Sequence, residues 1–297
     1  MASVTTSFIK AQLKRLQNAA DDESIPAERR LQDFMGTVLQ KISPGDYLTQ
    51  EAYFEGFRAA MLSPVAPDLP GAVMYLHGGG YCCGDLEYAK GFGTVLAVQA
   101  NSRVFCPAYR LAPEYPYPAA LIDAVASYRY LIKTFPAEKI VVIGESAGGG
   151  LLFSLCLKLK EEGLPLPGGL VAMSPWTDLT SSGASYRENQ HIDPSMTLAH
   201  LGRFASYYSP DQSAWTDPFI SPLFGDLSGL PESLVFVGGD EIMRDDAVML
   251  YEKLTAAGCK SRLTVAPEMW HAYPLYCRKE RQEDLDEICA FIRRITK

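Results

Sequence analysis

The stretch KIVVIGESAGG, residues 139–149, decides the fold of this 297-residue chain. Its first half is a run of mostly β-branched apolar residues, which is typical of a strand buried on both faces of a parallel sheet. Its second half is a G-x-S-x-G sequence that leads into a helical segment ending near Leu159. A strand, a tight glycine-flanked turn and a helix in this order place Ser146 on a sharp, strained bend at the sheet edge. The stretch therefore predicts an α/β fold that presents a reactive serine.

Apolar runs of the same kind recur on both sides of this stretch. They lie at Ala72–Leu76, Arg103–Phe105, Leu170–Met173, Leu234–Val237 and Leu263–Val265. Amphipathic helical segments separate several of these runs. Alternation of buried strands and helices predicts a mostly parallel sheet with helices on both faces.

The first 45 residues lie outside this alternation. They contain two predicted helices, Thr6–Ala19 and Pro26–Leu39, and both precede the first strand. Because these helices belong to no strand–helix unit, we predict that residues 1–45 form one part of a cap on a catalytic domain of residues 46–297.

A long interval at residues 177–230 also interrupts the alternation. It is rich in Ser, Asp, Gly and Pro and contains one predicted helix, Met196–Tyr208, with Ser195 as its N-cap. Long excursions from a compact domain are commonly lids or binding loops. We therefore predict that residues 177–230 supply the rest of the cap.

A second glycine-rich motif, HGGGY, occupies residues 77–81. Three consecutive glycines cost conformational entropy, which indicates a use for their bare backbone N–H groups. A phosphate cradle is the competing use, but neither G-K-[ST] nor G-x-G-x-x-G follows. We therefore predict an oxyanion hole made by the amides of Gly78, Gly79 and Ala147. We expect His77 to brace this loop rather than to take part in catalysis.

A serine hydroxyl becomes a good nucleophile only beside a base. The chain has four histidines, and His271 lies on the loop just past the last predicted strand, where a base would face Ser146. His191 and His200 lie in the predicted cap, where we expect surface or packing roles.

The acid that orients the base should follow the preceding strand. We predict Asp240 for this role, with Glu241, Asp245 and Asp246 as nearby competitors. The order Ser146, Asp240, His271 along the chain is the order found in α/β-hydrolases.

Six motifs together resemble a known family. They are HGGGY at 77–81, YRLAPEYPYPAALIDA at 109–124, GESAGG at 144–149, SPWTDL at 174–179, DEIMRDDA at 240–247 and MWHAY at 269–273. In this order they resemble the hormone-sensitive lipase-like branch of the α/β-hydrolases, which includes the bacterial family IV esterases. The resemblance implies an eight-stranded sheet with one antiparallel strand, a cap, and no cofactor. It also implies hydrolysis of short- to medium-chain carboxylic esters, often by homodimers.

Several residues of these motifs are assigned to the substrate pocket or its rim. We predict that Tyr81, Glu145 and Trp176 contact the substrate. Glu145 stands where many relatives carry Asp, and we expect this change to alter local hydrogen bonding while leaving the chemistry intact. Cys82 and Cys83 follow the glycine motif and could line the pocket, but we favour buried or half-buried thiols there.

The predicted function is therefore a serine carboxylesterase acting on a small-molecule ester. A lactonase, an amidase or a thioesterase would use the same residues, because acyl transfer in all of them passes through a tetrahedral intermediate. A non-catalytic ligand-binding protein on this fold is a further alternative, although the intact His271 argues against it. A thiol hydrolase using Cys82 or Cys83 is another.

Composition excludes several other classes of protein. Lys and Arg number 27 against 35 Asp and Glu, which gives a net charge of −8. Such an acidic chain lacks the basic surface that binds nucleic acid or an anionic membrane. Without an apolar leader or a spanning run, a cytoplasmic protein is expected. The seven cysteines are an odd number and form no C-x-x-C pair, so neither a disulfide framework nor a zinc or other metal site is predicted.

Overall fold

The computed structural model describes residues 10–14, 24–43, 45–66, 70–276 and 280–297. Eight strands form one sheet in this part of the chain. They are β1 Tyr47–Tyr53, β2 Arg58–Pro64, β3 Ala72–Leu76, β4 Arg103–Ala108, β5 Ile140–Glu145, β6 Gly169–Met173, β7 Ser233–Gly238 and β8 Ser261–Ala266. Their order across the sheet is β1–β2–β4–β3–β5–β6–β7–β8.

Only β2 runs against the other strands. It pairs antiparallel with both β1 and β4, while the pairs from β4 to β8 are parallel. Parallel strands are buried on both faces, and β3, β5, β6 and β7 are buried along their whole length. The prediction of a mostly parallel sheet is confirmed.

The helices of the described residues lie around this sheet. Besides the helical residues 10–14, they are α1 Ile25–Ile42, α2 Leu86–Ala100, α3 Ala119–Leu131, α4 Ala147–Glu161, α5 Ser185–Glu188, α6 Leu198–Tyr208, α7 Arg244–Ala256, α8 Tyr273–Tyr276 and α9 Gln282–Ile295. Short 3-10 helices lie at Ala137–Lys139, Gln212–Ala214 and Pro222–Phe224. Apolar side chains of α2 and α9 pack with one face of the sheet, and those of α3, α4 and α7 pack with the other. Helices on both faces of the sheet were predicted, and this is confirmed.

The structure refines the predicted N-terminal helices. Residues 10–14 are helical, and the rest of the predicted helix Thr6–Ala19 lies outside the described residues. The second predicted helix, Pro26–Leu39, is α1, which begins one residue earlier and ends at Ile42. The close approach of α1 to α2 depends on Gly36, because a β-carbon there would lie 2.4 Å from the Tyr88 α-carbon.

The 177–230 interval contains two helices, α5 and α6, where one was predicted, and the predicted one begins later than expected. It is α6, and its N-cap is Thr197, whose side chain accepts a hydrogen bond from the His200 amide at 3.1 Å. The prediction of Ser195 as the N-cap is wrong, because the Ser195 hydroxyl instead hydrogen-bonds to Asp193 at 2.6 Å. Among the residues described, no helix combines the length and apolar composition needed to span a membrane.

Candidate active site

The turn between β5 and α4 is a strained elbow centred on Ser146. Its backbone has φ 53° and ψ −124°, a conformation that side-chain-bearing residues rarely adopt. The glycines on either side are required by space. A β-carbon at Gly144 would lie 2.2 Å from the Gly148 carbonyl oxygen, and one at Gly148 would lie 2.1 Å from the Leu76 carbonyl oxygen. The G-x-S-x-G sequence therefore lets strand, turn and helix pack closely enough to raise the serine at the carboxyl end of β5.

Ser146 and His271 line the same cavity, which has a volume of about 310 Å³. The N-terminal residues Leu13, Glu28, Leu31, Gln32 and Met35 form part of its wall. The 177–230 interval contributes Ser195, Met196, His200 and Phe204. The remaining lining comes from the loop residues Gly78, Gly79, Gly80, Trp270 and Ala272, from Glu145 at the end of β5 and from Tyr88 in α2. The wall is mainly apolar, so the cavity suits a small ligand with a nonpolar part.

A buried carboxylate holds His271. The His271 Nδ1 atom lies 2.8 Å from Glu241 Oε2, and Glu241 has no solvent exposure. The other carboxylate oxygen, Oε1, accepts hydrogen bonds from the Ser174 hydroxyl at 2.8 Å and from the Gly238 amide. The Ser174 hydroxyl oxygen also accepts from the Ala272 amide at 2.9 Å. Ser174 thus ties the acid to the loop that carries the histidine.

The prediction that Asp240 orients His271 is wrong. The Asp240 carboxylate forms an ion pair with Lys10, at 2.6 Å between Nζ and Oδ2. Its amide donates to the Met269 carbonyl at 3.0 Å, and its side chain faces Lys10 in the N-terminal segment. The next residue, Glu241, consequently points into the protein and meets the imidazole. The other competitors are also engaged elsewhere, since Asp245 accepts from the Ser185 amide and Asp246 from the Thr177 amide.

The environment of His271 favours its protonated form. Burial lowers the pKa of the imidazole, but the hydrogen bond to Glu241 and the charges of Glu241, Asp193 and Glu145 outweigh this effect. The pKa of His271 therefore lies above the ordinary value of 6.5. The hydrogen bond to the carboxylate also selects the tautomer with the proton on Nδ1, which leaves Nε2 able to accept a proton.

The amides available in the glycine motif differ from the predicted oxyanion hole at one residue. The Gly78 amide donates to Glu145 Oε1 at 3.0 Å, so its assignment to an oxyanion hole is not supported. Across the described parts of the chain, the amides of Gly79, Gly80 and Ala147 have no acceptor. Gly79 and Gly80 both have positive φ, 108° and 60°, which turns this loop sharply next to the elbow. Gly80 belongs to the same sequence motif, but the prediction did not include it.

Glu145 holds the glycine loop through a hydrogen bond to its backbone. Its Oε1 atom accepts from the Tyr88 hydroxyl at 2.7 Å as well as from the Gly78 amide. Burial raises the pKa of this carboxyl group. Glu145 lines the cavity, as expected of a substrate contact, but its hydrogen bonds give it a supporting role for the loop.

His77 supports the same loop as a neutral group. Its ring stacks on Tyr109, with centroids 4.3 Å apart, and the Nδ1 atom lies 2.7 Å from the Gly78 carbonyl oxygen. Burial lowers the pKa of His77 to about 4. An uncharged ring with a hydrogen bond to the loop is consistent with the bracing role that we predicted.

Two predicted substrate contacts lie in the core instead. The Tyr81 ring stacks on Tyr208 with centroids 3.7 Å apart, and Trp176 has no solvent exposure. Neither residue is part of the cavity lining in the described structure, so the prediction for both is not supported. Tyr81 and Trp176 pack next to α4, where a β-carbon at Gly150 would touch both residues.

The two adjacent cysteines after the glycine motif are buried thiols, as expected. Neither Cys82 nor Cys83 is exposed, and burial raises the pKa of both groups, to about 12 for Cys83. A nucleophilic thiol needs access and a lowered pKa. The geometry therefore does not favour a thiol hydrolase.

The 177–230 interval is fixed to the acid-bearing loop. The Asn189 side-chain amide donates to the Gly239 and Glu241 carbonyls at 3.1 and 2.9 Å. The Asp193 carboxylate accepts from the Ile242 amide at 2.8 Å. Sequence patterns give no signal for these contacts, because each joins residues about 50 positions apart.

A cluster of polar contacts connects α1 of the N-terminal segment with α6 of the 177–230 interval, next to the cavity. Glu28 of α1 is nearly buried and pairs with Arg203 of α6 at 2.7 Å. The His200 Nε2 atom lies 3.0 Å from the same carboxylate. His200 also lines the cavity, so its position goes beyond the surface or packing role that we expected.

Comparison with known proteins agrees with this architecture. A family model described as the alpha/beta hydrolase fold matches residues 73–275. An acetyl-hydrolase of Streptomyces hygroscopicus is 36% identical over 230 residues, which are 75% of this chain and 76% of the relative. An esterase of Acinetobacter venetianus is 35% identical over 206 residues, or 69% of this chain and 68% of the relative.

A solved structure extends the similarity to the whole chain. The crystal structure of an esterase from the bacterial hormone-sensitive lipase family matches with a TM-score of 0.91 and 32% sequence identity, covering 100% of both chains. This chain therefore belongs to the α/β-hydrolases, and within them to the hormone-sensitive lipase-like esterases.

Proposed function

We propose that this protein is a serine carboxylesterase in which Ser146 is the nucleophile, His271 the base and Glu241 the acid that orients it. The observation that carries the proposal is one cavity lined by Ser146 and His271, with Glu241 Oε2 at 2.8 Å from the imidazole Nδ1 atom. The similarity to an acetyl-hydrolase and to esterases supports an ester as substrate.

The first half-reaction forms an acyl-enzyme. His271 Nε2 takes the proton of the Ser146 hydroxyl as the Oγ atom attacks the ester carbonyl carbon. Glu241 stabilises the imidazolium that results, because its carboxylate is held without exposure to water. When the tetrahedral intermediate collapses, the imidazolium donates its proton to the departing alkoxide.

Backbone amides stabilise the negative charge of that intermediate. We assign the amides of Gly79, Gly80 and Ala147 to the oxyanion hole, because they have no acceptor within the described chain. Each donor of this kind is worth about 3 kcal/mol in the transition state. The N-terminus of α4, which begins at Ala147, adds partial positive charge at the same place.

The second half-reaction frees the serine. A water molecule donates a proton to His271 and attacks the acyl carbonyl, and the same amides stabilise the second oxyanion. When this second intermediate collapses, the bond between the acyl carbon and Ser146 Oγ breaks, the imidazolium returns its proton to Oγ, and the carboxylic acid leaves. We propose that residues 1–45 and 177–230 form the cap that limits access of water and substrate. This assignment rests on the cavity wall, to which both segments contribute side chains.

A panel of p-nitrophenyl esters tests the proposed activity and its range. We expect the acetate and butyrate esters to be hydrolysed faster than the palmitate ester, because a cavity of about 310 Å³ is at the small end of ligand pockets. The matched p-nitroanilides should be hydrolysed far more slowly. Absence of ester hydrolysis would refute the function, whereas a preference for palmitate would refute only the small pocket.

The pH dependence of kcat/KM reports the state of His271. Because its pKa is raised and only the neutral imidazole accepts a proton, activity should fall as the pH drops through a midpoint above 6.5. The measurement is kcat/KM for the butyrate ester, read at the isosbestic wavelength of the product. A midpoint at or below 6.5 would contradict the environment described for His271.

A further inference from the structure

The helical segment of residues 10–14 closes one side of the cavity. Leu13 lines the cavity together with Ser146 and His271. It also packs against a buried cluster that includes Met269 and Trp270, the residues directly before the histidine. The position of Leu13 therefore sets how far the cavity extends along this wall.

One ion pair holds this segment at its N-terminal end. Lys10 Nζ lies 2.6 Å from Asp240 Oδ2, and both side chains are about one-quarter exposed, at 24% each. Lys14 makes a longer contact, 3.4 Å from its Nζ atom to the Asp193 carbonyl oxygen. The Lys10 contact is thus the closer of the two.

Asp240 is itself fixed relative to the reacting groups. Its amide donates to the Met269 carbonyl at 3.0 Å, and it directly precedes Glu241. The Asp240 side chain therefore links the N-terminal segment to the loop that carries Glu241, without contacting His271. Asp240 can therefore affect the shape of the cavity while leaving the proton transfers unchanged.

We propose that the Lys10–Asp240 pair positions Leu13 as a specificity-determining wall that disfavours long acyl or alcohol groups. Lys10 and Asp240 are positioning residues, and Leu13 is the side chain that meets the substrate. This inference rests on the proposed esterase function of the same cavity.

Disruption of the pair should change substrate preference more than turnover. In Lys10→Met and Asp240→Asn, we expect the ratio of kcat/KM for octanoate to that for butyrate to rise about two- to fivefold, the range of a partly exposed ion pair. Leu13→Ala should shift the ratio in the same direction, because it removes the wall directly. In Lys10→Met and Asp240→Asn, kcat for the acetate ester should stay close to that of the wild type.

Exchanging the two charges distinguishes an effect of the ion pair from an effect of general loss of stability. Lys10→Asp combined with Asp240→Lys should restore the wild-type ratio, whereas either change alone should not. Lys14→Met is the matched control, because it removes a lysine from the same segment without touching Asp240. High salt should raise the ratio in the wild type and leave Asp240→Asn unaffected, since salt screens exposed pairs.

Hydrogen exchange gives a readout that does not depend on activity. Amides of residues 10–14 should exchange faster in Lys10→Met and Asp240→Asn, and return to the wild-type rate in the exchanged pair. An unchanged ester ratio in Leu13→Ala, no rescue by the exchange, or an equal shift in Lys14→Met would overturn the inference. A wild-type protein without esterase activity would instead refute the proposed function, and the exchange rates would still test the ion pair.

Discussion

Replacing Glu241 by glutamine is expected to lower kcat for p-nitrophenyl acetate by about 10³- to 10⁴-fold, as loss of the orienting carboxylate does in serine hydrolases. The size of the effect follows from the contacts of the carboxylate. Two donors, the Ser174 hydroxyl and the Gly238 amide, converge on Oε1. A glutamine would keep its carbonyl oxygen there and turn its NH₂ group toward His271. The imidazole would then carry its proton on Nε2 and could not accept the proton of Ser146.

The neighbouring residue supplies the matched control. Asp240→Asn removes a carboxylate one position away, but its partner is Lys10 and not the imidazole. We therefore expect kcat for the acetate ester to stay within about threefold of the wild type, as for an ion pair worth about 0–1 kcal/mol. Circular dichroism and thermal unfolding would show that both variants fold. If Asp240→Asn lowered kcat far more than Glu241→Gln, Asp240 would be the acid and the pairing of Glu241 with His271 would be refuted.

The choice between these two acids illustrates where sequence reasoning ends. The order of serine, acid and histidine, and the loop that carries each of them, follow from the strand pattern. Two adjacent acids on one loop cannot be distinguished in this way, because the choice depends on which side chain faces the interior. In the structure Asp240 faces Lys10 of the N-terminal segment, with its amide bonded to the Met269 carbonyl, and both partners are distant in sequence or on another loop.

The same limit applies to the strands. Buried parallel strands such as β5 and β6 form continuous apolar runs, and the sequence predicts them. β1 has a different pattern, because most of its side chains are exposed and no apolar run marks it. It lies at the edge of the sheet, where only one neighbouring strand covers its backbone. Its presence was implied by the family resemblance and not by its own residues.

The glycine motif at residues 77–81 shows the same limit of sequence reasoning for a third time. The motif predicts that backbone amides are needed, because three glycines together have no other evident use. Which of them are available depends on Glu145, whose carboxylate already binds the Gly78 amide. This contact joins residues 67 positions apart, so local sequence patterns contain no information about it.

Replacing Ser146 by alanine should have the largest effect, a loss of about 10⁴- to 10⁶-fold in kcat for short p-nitrophenyl esters. Without the hydroxyl no acyl-enzyme forms, and only stabilisation of the oxyanion remains. The fold should persist, because Ser146 is held by its backbone. Its amide donates to the Met173 carbonyl at 2.9 Å, and alanine has the same β-carbon at φ 53°. Thermal unfolding should therefore resemble that of the wild type.

Covalent labelling distinguishes this loss from an indirect effect. A fluorophosphonate should modify the wild type with one equivalent per chain, and peptide mapping should place the adduct on the peptide that contains Ser146. The alanine variant should take up none, while iodoacetamide should leave the activity of the wild type intact because Cys82 and Cys83 are buried. Labelling of another serine, or wild-type turnover in the variant, would show that the elbow does not carry the nucleophile. A variant that still binds a non-hydrolysed ester analogue with wild-type affinity would locate the defect in bond formation rather than in the cavity.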